Sequence, residues 1–189
     1  EAGRNLSGLV NDTKVLSDRW LKDALTSAAA IHAESFLTAV LEHQQPIDPR
    51  SNDLIVQVAE HFARTRPTKE PVSEILTAMA KSSNKARDAI IRGLAAGWPK
   101  DHIIKLDASV DADLQSVFVS ASVSVKASLA RLAASWSNQS LQKEIAPIVA
   151  GFIRRIEDEN LAVKDRIGAA NELMRLDAGS VDSAEAIEG

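Results

Sequence analysis

Stacked pairs of α-helices in an all-α fold are what this sequence predicts, and three observations predict it. The first is the stretch from Val125 to Trp136, in which Val125, Leu129, Leu132, Ala133 and Trp136 fall on one face of a helix. The second is the recurrence of that pattern at a step of about 38 residues, within the range of helical repeats. Arg87, Ile91, Leu94, Ala95 and Trp98 precede it, and Val163, Ile167, Ala170, Asn171 and Met174 follow it. The third is that the preceding helices keep the same step: Val72, Leu76 and Ala80 are answered by Val110, Leu114 and Phe118, then by Ile148, Phe152 and Ile156. Each unit is therefore a pair of helices. The expected fold class is an all-α, HEAT/armadillo-like right-handed α-solenoid of antiparallel helix pairs.

With 189 residues the chain can bury a substantial core as one elongated domain. The expected division is a lead-in segment, 1–17, followed by a single α-helical repeat domain, 18–189. Only 4% of the residues are aromatic and none is Tyr, so the core must be built mainly from Ala, Leu, Ile and Val. A formal net charge of −4 and a pI of about 5.6 do not predict a strong attraction for nucleic acid or an anionic membrane. The lack of Cys excludes thiolate nucleophiles, thiolate metal sites, disulfides and the C-x-x-C-H attachment of a c-type haem. No apolar run has the length needed to cross a bilayer, so no membrane insertion is expected. The chain opens on Glu1, and its last helical pattern barely begins at Val181 before Gly189, so a piece of a longer protein is expected.

In chain order, residues Glu1 to Lys14 are weakly periodic and turn-like at Asn11-Asp12. They read as a loose lead-in with at most one short helix through Leu6 and Val10. Ser17 or Asp18 can cap the first firm helix. There Leu21, Leu25, Ala28, Ala29 and His32 repeat the organising spacing, with His32 at the place of Trp136 as a partly buried packing residue. A helix from Ala33 to His43 follows. Pro46 and Pro49 break the chain, and Ser51 or Asn52 caps a helix whose stripe is Leu54, Ile55, Val58, Ala59 and Phe62. After Pro67 and Pro71, a helix from Val72 to Lys81 turns at Ser82-Ser83-Asn84 into one ending at Trp98, stopped by Gly97 and Pro99. Asp88 and Arg92 are spaced for a surface ion pair.

The connection from Pro99 to Ser109 carries Ile103, Ile104 and Leu106, too apolar for a solvated loop, and is expected to lie across the stack without being a strand. Helices then span about Val110 to Ser120 and Val125 to Trp136. Pro147 is expected to break or kink the helix from Ser140 to Asp158. An acidic turn at Glu157 to Asn160 leads into a last helix, Val163 to Leu176, ending near Gly179.

Chemistry is sparse. His32, His43, His61 and His102 lie on different elements, and none pairs with another at the i, i+4 spacing of a helix-borne metal site. Glu42-His43 and Glu60-His61 read as surface residues near helix ends. Trp98 and Trp136 read as core filling at equivalent positions rather than as a stacking platform. Arg131, Arg154, Arg155 and Arg166 are interspersed with Glu144, Glu157, Asp158, Glu159 and Asp165, the pattern of a mixed solvated face. Asp111 and Asp113 sit where they would cap a helix. No phosphate loop, dinucleotide fingerprint, nucleophile elbow or H-E-x-x-H is present, so no catalytic, cofactor-binding or metal-ligating residue is assigned. An enzyme site assembled from distant residues would require a pocket lined by His and carboxylates.

Four stretches stand in order: Asp18-Arg19-Trp20-Leu21-Lys22-Asp23-Ala24, Gly93-Leu94-Ala95-Ala96-Gly97-Trp98-Pro99-Lys100, Leu132-Ala133-Ala134-Ser135-Trp136 and Asp165-Arg166-Ile167-Gly168-Ala169-Ala170. With them the chain, from about Asp18 to Leu176, resembles the HEAT-like helical region of large secreted haem-binding, membrane-bound-dehydrogenase-type proteins of planctomycetes and their relatives. The resemblance implies a spacer between a sugar-dehydrogenase-like β-propeller and a cytochrome c domain. It implies haem c in the parent protein only, no cofactor in this segment, and a periplasmic or secreted location. The expected function is a non-catalytic scaffold or protein-interaction domain, whose partners are neighbouring domains of a longer chain or another protein. The alternative is a HEAT-like nucleic-acid-binding protein, resting on the arginines of the later helices.

Overall fold

The computed structural model describes residues 1–43, 45–82 and 85–177, and among them every regular element is helical. The α-helices are α1 (Ala2–Ser7), α2 (Thr13–Ser17), α3 (Arg19–Ile31), α4 (Ala33–Leu41), α5 (Asn52–Arg64), α6 (Lys69–Lys81) and α7 (Ala86–Gly97), then α8 (Asp111–Ser120), α9 (Val123–Ser135), α10 (Gln139–Glu157) and α11 (Val163–Asp177). Short 3-10 turns precede α2, α5 and α8. The connection Ser82-Ser83-Asn84 and the chain beyond Asp177, with Gly179 and Val181, fall at or outside the limits of the described residues.

The helices form two rows. In one, α3 touches α5, α5 touches α7, α7 touches α9, and α9 touches α11; in the other, α1, α4, α6, α8 and α10 follow each other in the same way. The main core draws on both rows, with Phe36, Leu37, Ile55, Leu76, Ile91, Leu114, Leu129 and Trp136 all shielded from solvent. A smaller cluster around Ala127, Phe152 and Ala169 joins α9, α10 and α11. Burial follows the step read in the sequence: Leu76 and Leu114, Ile91 and Leu129, Leu94 and Leu132, and Trp98 and Trp136 are buried as matched pairs. At the third occurrence it lapses, since Val163, Ile167 and Met174 are exposed.

Several expectations change. The lead-in is tied down: Val10 is fully buried, and Ser51 Oγ donates to its carbonyl. Asn11 donates to the Pro46 carbonyl and accepts from the Asp48 N–H at 2.7 Å, clipping the lead-in to the α4–α5 connection. His32 is exposed rather than a packing residue, because the chain bends by 107° there between α3 and α4 and turns its side chain outward. Asp18, not Ser17, caps α3, accepting from the N–H groups of Trp20 and Leu21. Ser51 precedes α5 but spends its hydroxyl on Val10, leaving no side-chain cap there. Arg92 bonds the backbone carbonyl of Asp88 at 3.4 Å instead of its carboxylate. Helix α10 runs unbroken through Pro147, an exposed position where the orphaned carbonyl one turn earlier can meet water.

The connection after Trp98 behaves as expected. Ile104 and Leu106 are buried and the Ile104 N–H donates to the Ser135 carbonyl at the end of α9, while Ile103 points to solvent. Helix α9 closes with Ser137 in the left-handed region at φ 51°. The Asn138 N–H then returns to the Ala133 carbonyl, so the final turn satisfies its own acceptors.

At the α4–α5 connection Arg50 donates to Asp48 from both side chain and backbone, and together these hold the Asp48 carboxyl down to about 2. A depressed carboxylate supports folding above the ordinary value of about 4 and loses that support as pH falls through the folded value. Acid titration followed by circular dichroism is therefore expected to show Asp48→Asn less stable than wild type at neutral pH, with the gap closing below about pH 3. A gap that stays constant down to pH 2 would remove Asp48 from the acid response.

Candidate functional site

A groove of about 670 Å³ runs along the α4 and α6 row. Helix α6 supplies Ser73, Thr77 and Lys81 at successive turns, with Glu74 and Ala78 beside them, because residues four apart share a face. The end of α4 supplies Thr38, Leu41, Glu42 and His43, and the turn before α8 closes the far side with Ser109 and Val110. Hydroxyls, carboxylates, an ammonium and an imidazole thus surround an apolar floor.

Glu42 is ion-paired with Arg4 at 2.6 Å, which ties α1 to the groove's end. Thr77 donates to Asp113 at 2.8 Å, linking α6 to α8. Glu74 acts on Glu34 of α4, whose carboxyl is held above the usual carboxylate range, first by partial loss of solvent and then by the charge of Glu74, with which it shares a hydrogen bond.

The groove brings His43 together with carboxylates, the composition that an assembled enzyme site would require. Ser7 Oγ donates to the Arg4 carbonyl at 2.8 Å and lies 3.4 Å from His43 Nε2, longer than the reach of a nucleophile hydrogen-bonded to its base. The arrangement suits recognition of an extended polar segment: hydroxyls for backbone amides and Glu74 for a cationic side chain.

The remaining histidines are separated. His102 Nε2 donates to the Pro67 carbonyl at 3.0 Å, and its ring stacks on Trp98 at 5.3 Å. His61 is exposed on α5 beside the Glu60–Arg64 pair, and His32 borders a shallower hollow of about 430 Å³ with Ile31 and Phe62. Among the described residues no group of three or more His, Cys, Asp or Glu is arranged to hold a metal ion. No single described helix is long and apolar enough to cross a membrane.

Asp111 and Asp113 do not cap α8. Asp111 accepts from Asn138 Nδ2 at 2.8 Å and Asp113 from Thr77, so both bridge neighbouring helices. Asn138 in turn caps α10 by accepting from the Leu141 N–H. Of the basic residues, Arg154 and Arg166 donate Nε to the carbonyls of Ala150 and Ile156, while Arg131 and Arg155 are exposed. Trp98 and Trp136, matched in the repeat, meet edge to face with centroids 5.5 Å apart.

The groove was not singled out in the sequence, since its residues are common surface types drawn from three separated stretches. The recurrence of Ser73, Thr77 and Lys81 on one face was the available signal. Comparison with protein-family models, with curated proteins and with solved structures finds no match.

Proposed function

We propose that the chain is a non-catalytic α-helical repeat scaffold, a right-handed HEAT/armadillo-like solenoid of antiparallel helix pairs that binds a partner protein or neighbouring domains of a longer chain. The observation that carries this reading is the matched burial from α6 and α7 to α8 and α9, because a repeated unit that buries the same positions against its successor builds an extended surface. The polar groove on the α4 and α6 row supplies a place for a partner segment. In the larger redox protein that the sequence resemblance implies, this segment separates a propeller from a cytochrome c domain. Covalent haem then belongs to that other domain, since the chain has no Cys. A periplasmic or secreted location follows from the same resemblance.

Crosslinking mass spectrometry in native extract is expected to attach partner peptides to Lys81, the lysine inside the groove. Ser73→Arg should fill the groove and abolish those crosslinks while leaving the melting temperature nearly unchanged, because the Ser73 hydroxyl bonds only its own helix at the Lys69 carbonyl. Crosslinks confined to the opposite row, or a pattern indifferent to Ser73→Arg, would move the binding surface elsewhere.

A further inference from the structure

We infer that the partner of the α4 and α6 groove is an extended segment bearing a cationic side chain, lysine or arginine, which seats against the paired carboxyl groups of Glu34 and Glu74. This names the chemistry of the partner that the scaffold reading calls for and rests on that reading. Glu34 stands in the first turn of α4 and Glu74 on α6, both exposed, with their carboxyl groups hydrogen-bonded to each other. Ionised carboxylates only accept hydrogen bonds, so the contact needs a proton or a cation to hold it. The first turn of a helix favours a negative charge, yet loss of solvent and the neighbouring Glu74 still push the Glu34 carboxyl up. Other carboxylates along these helices are supplied from within the chain: Glu42 by Arg4, Asp107 by Lys69 and Asp113 by the Thr77 hydroxyl. Among the described residues no lysine or arginine is ion-paired with Glu34 or Glu74.

The hydroxyls of the groove select a donor independently. Thr38 Oγ1 donates to the Glu34 carbonyl at 2.9 Å, Ser73 Oγ to the Lys69 carbonyl at 2.8 Å and Thr77 Oγ1 to Asp113 at 2.8 Å. Each has one proton and has committed it, so each presents only lone pairs to whatever enters the groove. With Glu74 they make a run of acceptors. That run suits the backbone N–H groups of an extended segment together with an ammonium or guanidinium, and it disfavours a segment bringing carboxylates or phosphates. Lys81 fixes where the cation goes. It lines the same groove seven residues after Glu74, about 10 Å along α6, and repels a positive charge from that end. Glu74 lines the groove and Glu34 borders the neighbouring hollow, so the seat for the cation lies between the two concavities.

Amide chemical shifts of the isotope-labelled full chain, followed during titration with the peptide acetyl-Gly-Ser-Ala-Arg-Ala-Ser-Gly-amide, test this. The arginine probe is expected to produce saturable shifts on α4, α6 and the turn before α8. Citrulline in place of its arginine keeps the shape but removes the charge, and should bind about tenfold more weakly. Glutamate in that place should abolish binding. Glu34→Gln and Glu74→Gln should each weaken the arginine probe about tenfold. Glu159→Gln, exposed beyond α10, should leave it unchanged and so separates a local seat from the attraction of the chain's overall negative charge. Equal affinity for the citrulline probe, an equal loss in Glu159→Gln, shifts centred on another face, or no shifts at millimolar probe would each overturn the cationic partner. If arginine and citrulline probes bind alike and Ser73→Arg abolishes both, the groove reading stands and only the charge requirement falls.

Discussion

Trp136→Ala is expected to destabilise the fold by about 3 to 5 kcal/mol, the range for truncating a buried aromatic side chain. In a chain of this size that corresponds to a fall of roughly 10 °C in melting temperature. Trp136 is 1% exposed and meets the ring of Trp98 edge to face, so truncation removes both its own packing and a wall of its neighbour's site. The two tryptophans differ in one respect. Trp98 Nε1 donates to the His102 carbonyl at 2.8 Å, whereas Trp136 Nε1 meets no acceptor among the described residues. Phenylalanine should therefore be tolerated better at 136 than at 98, where it also breaks a hydrogen bond worth about 1 kcal/mol. Thermal melts of the four variants decide the matter. An unchanged melt for Trp136→Ala beside a destabilised Trp98→Ala would break the equivalence of the two positions and the repeat phasing with it.

The second large effect is expected at the α5–α7 contact. A Cβ added at Gly97 would lie 2.2 Å from the Glu60 carbonyl oxygen, and one at Gly93 would lie 2.3 Å from the Val56 carbonyl oxygen and 2.7 Å from Ala59 Cβ. These obstacles are mainly helix backbone, which cannot swing aside as a side chain would, so α7 must move away from α5. Gly93→Ala and Gly97→Ala are each expected to cost about 1 to 3 kcal/mol through overpacking. The double variant should cost less than their sum, since one displacement relieves both clashes. Helix propensity alone predicts the opposite sign, because alanine is favoured over glycine in a helix by about 1 kcal/mol. Gly151→Ala on α10 and Gly168→Ala on α11, where an added Cβ meets open space, should show that opposite sign and raise the melting temperature. If all four substitutions stabilise, α5 and α7 do not approach each other this closely.

What the sequence determined by itself was the helical character and the positions of the core. Leu76, Leu114, Ile91, Leu129, Trp98 and Trp136 could be read as buried because helical periodicity places them on a single face, and their recurrence carried that reading from one unit to the next. The same logic identified the buried connection at Ile104 and Leu106, since apolar residues in a long linker need a surface to cover. Tertiary structure alone decided the polar contacts and the ends. Asn11, Asp111, Asp113, Ser51 and Asn138 each have ordinary local uses as turn or cap residues, and only the approach of distant segments diverts them into bridges between helices. The groove likewise depends on how far apart α4 and α6 stand, a spacing set by side chains packed beneath it rather than by those lining it. The exposed stripe Val163, Ile167 and Met174 on α11 looks in sequence like every other core face. Periodicity says which side of a helix is apolar, but whether another helix covers that side depends on its place in the row.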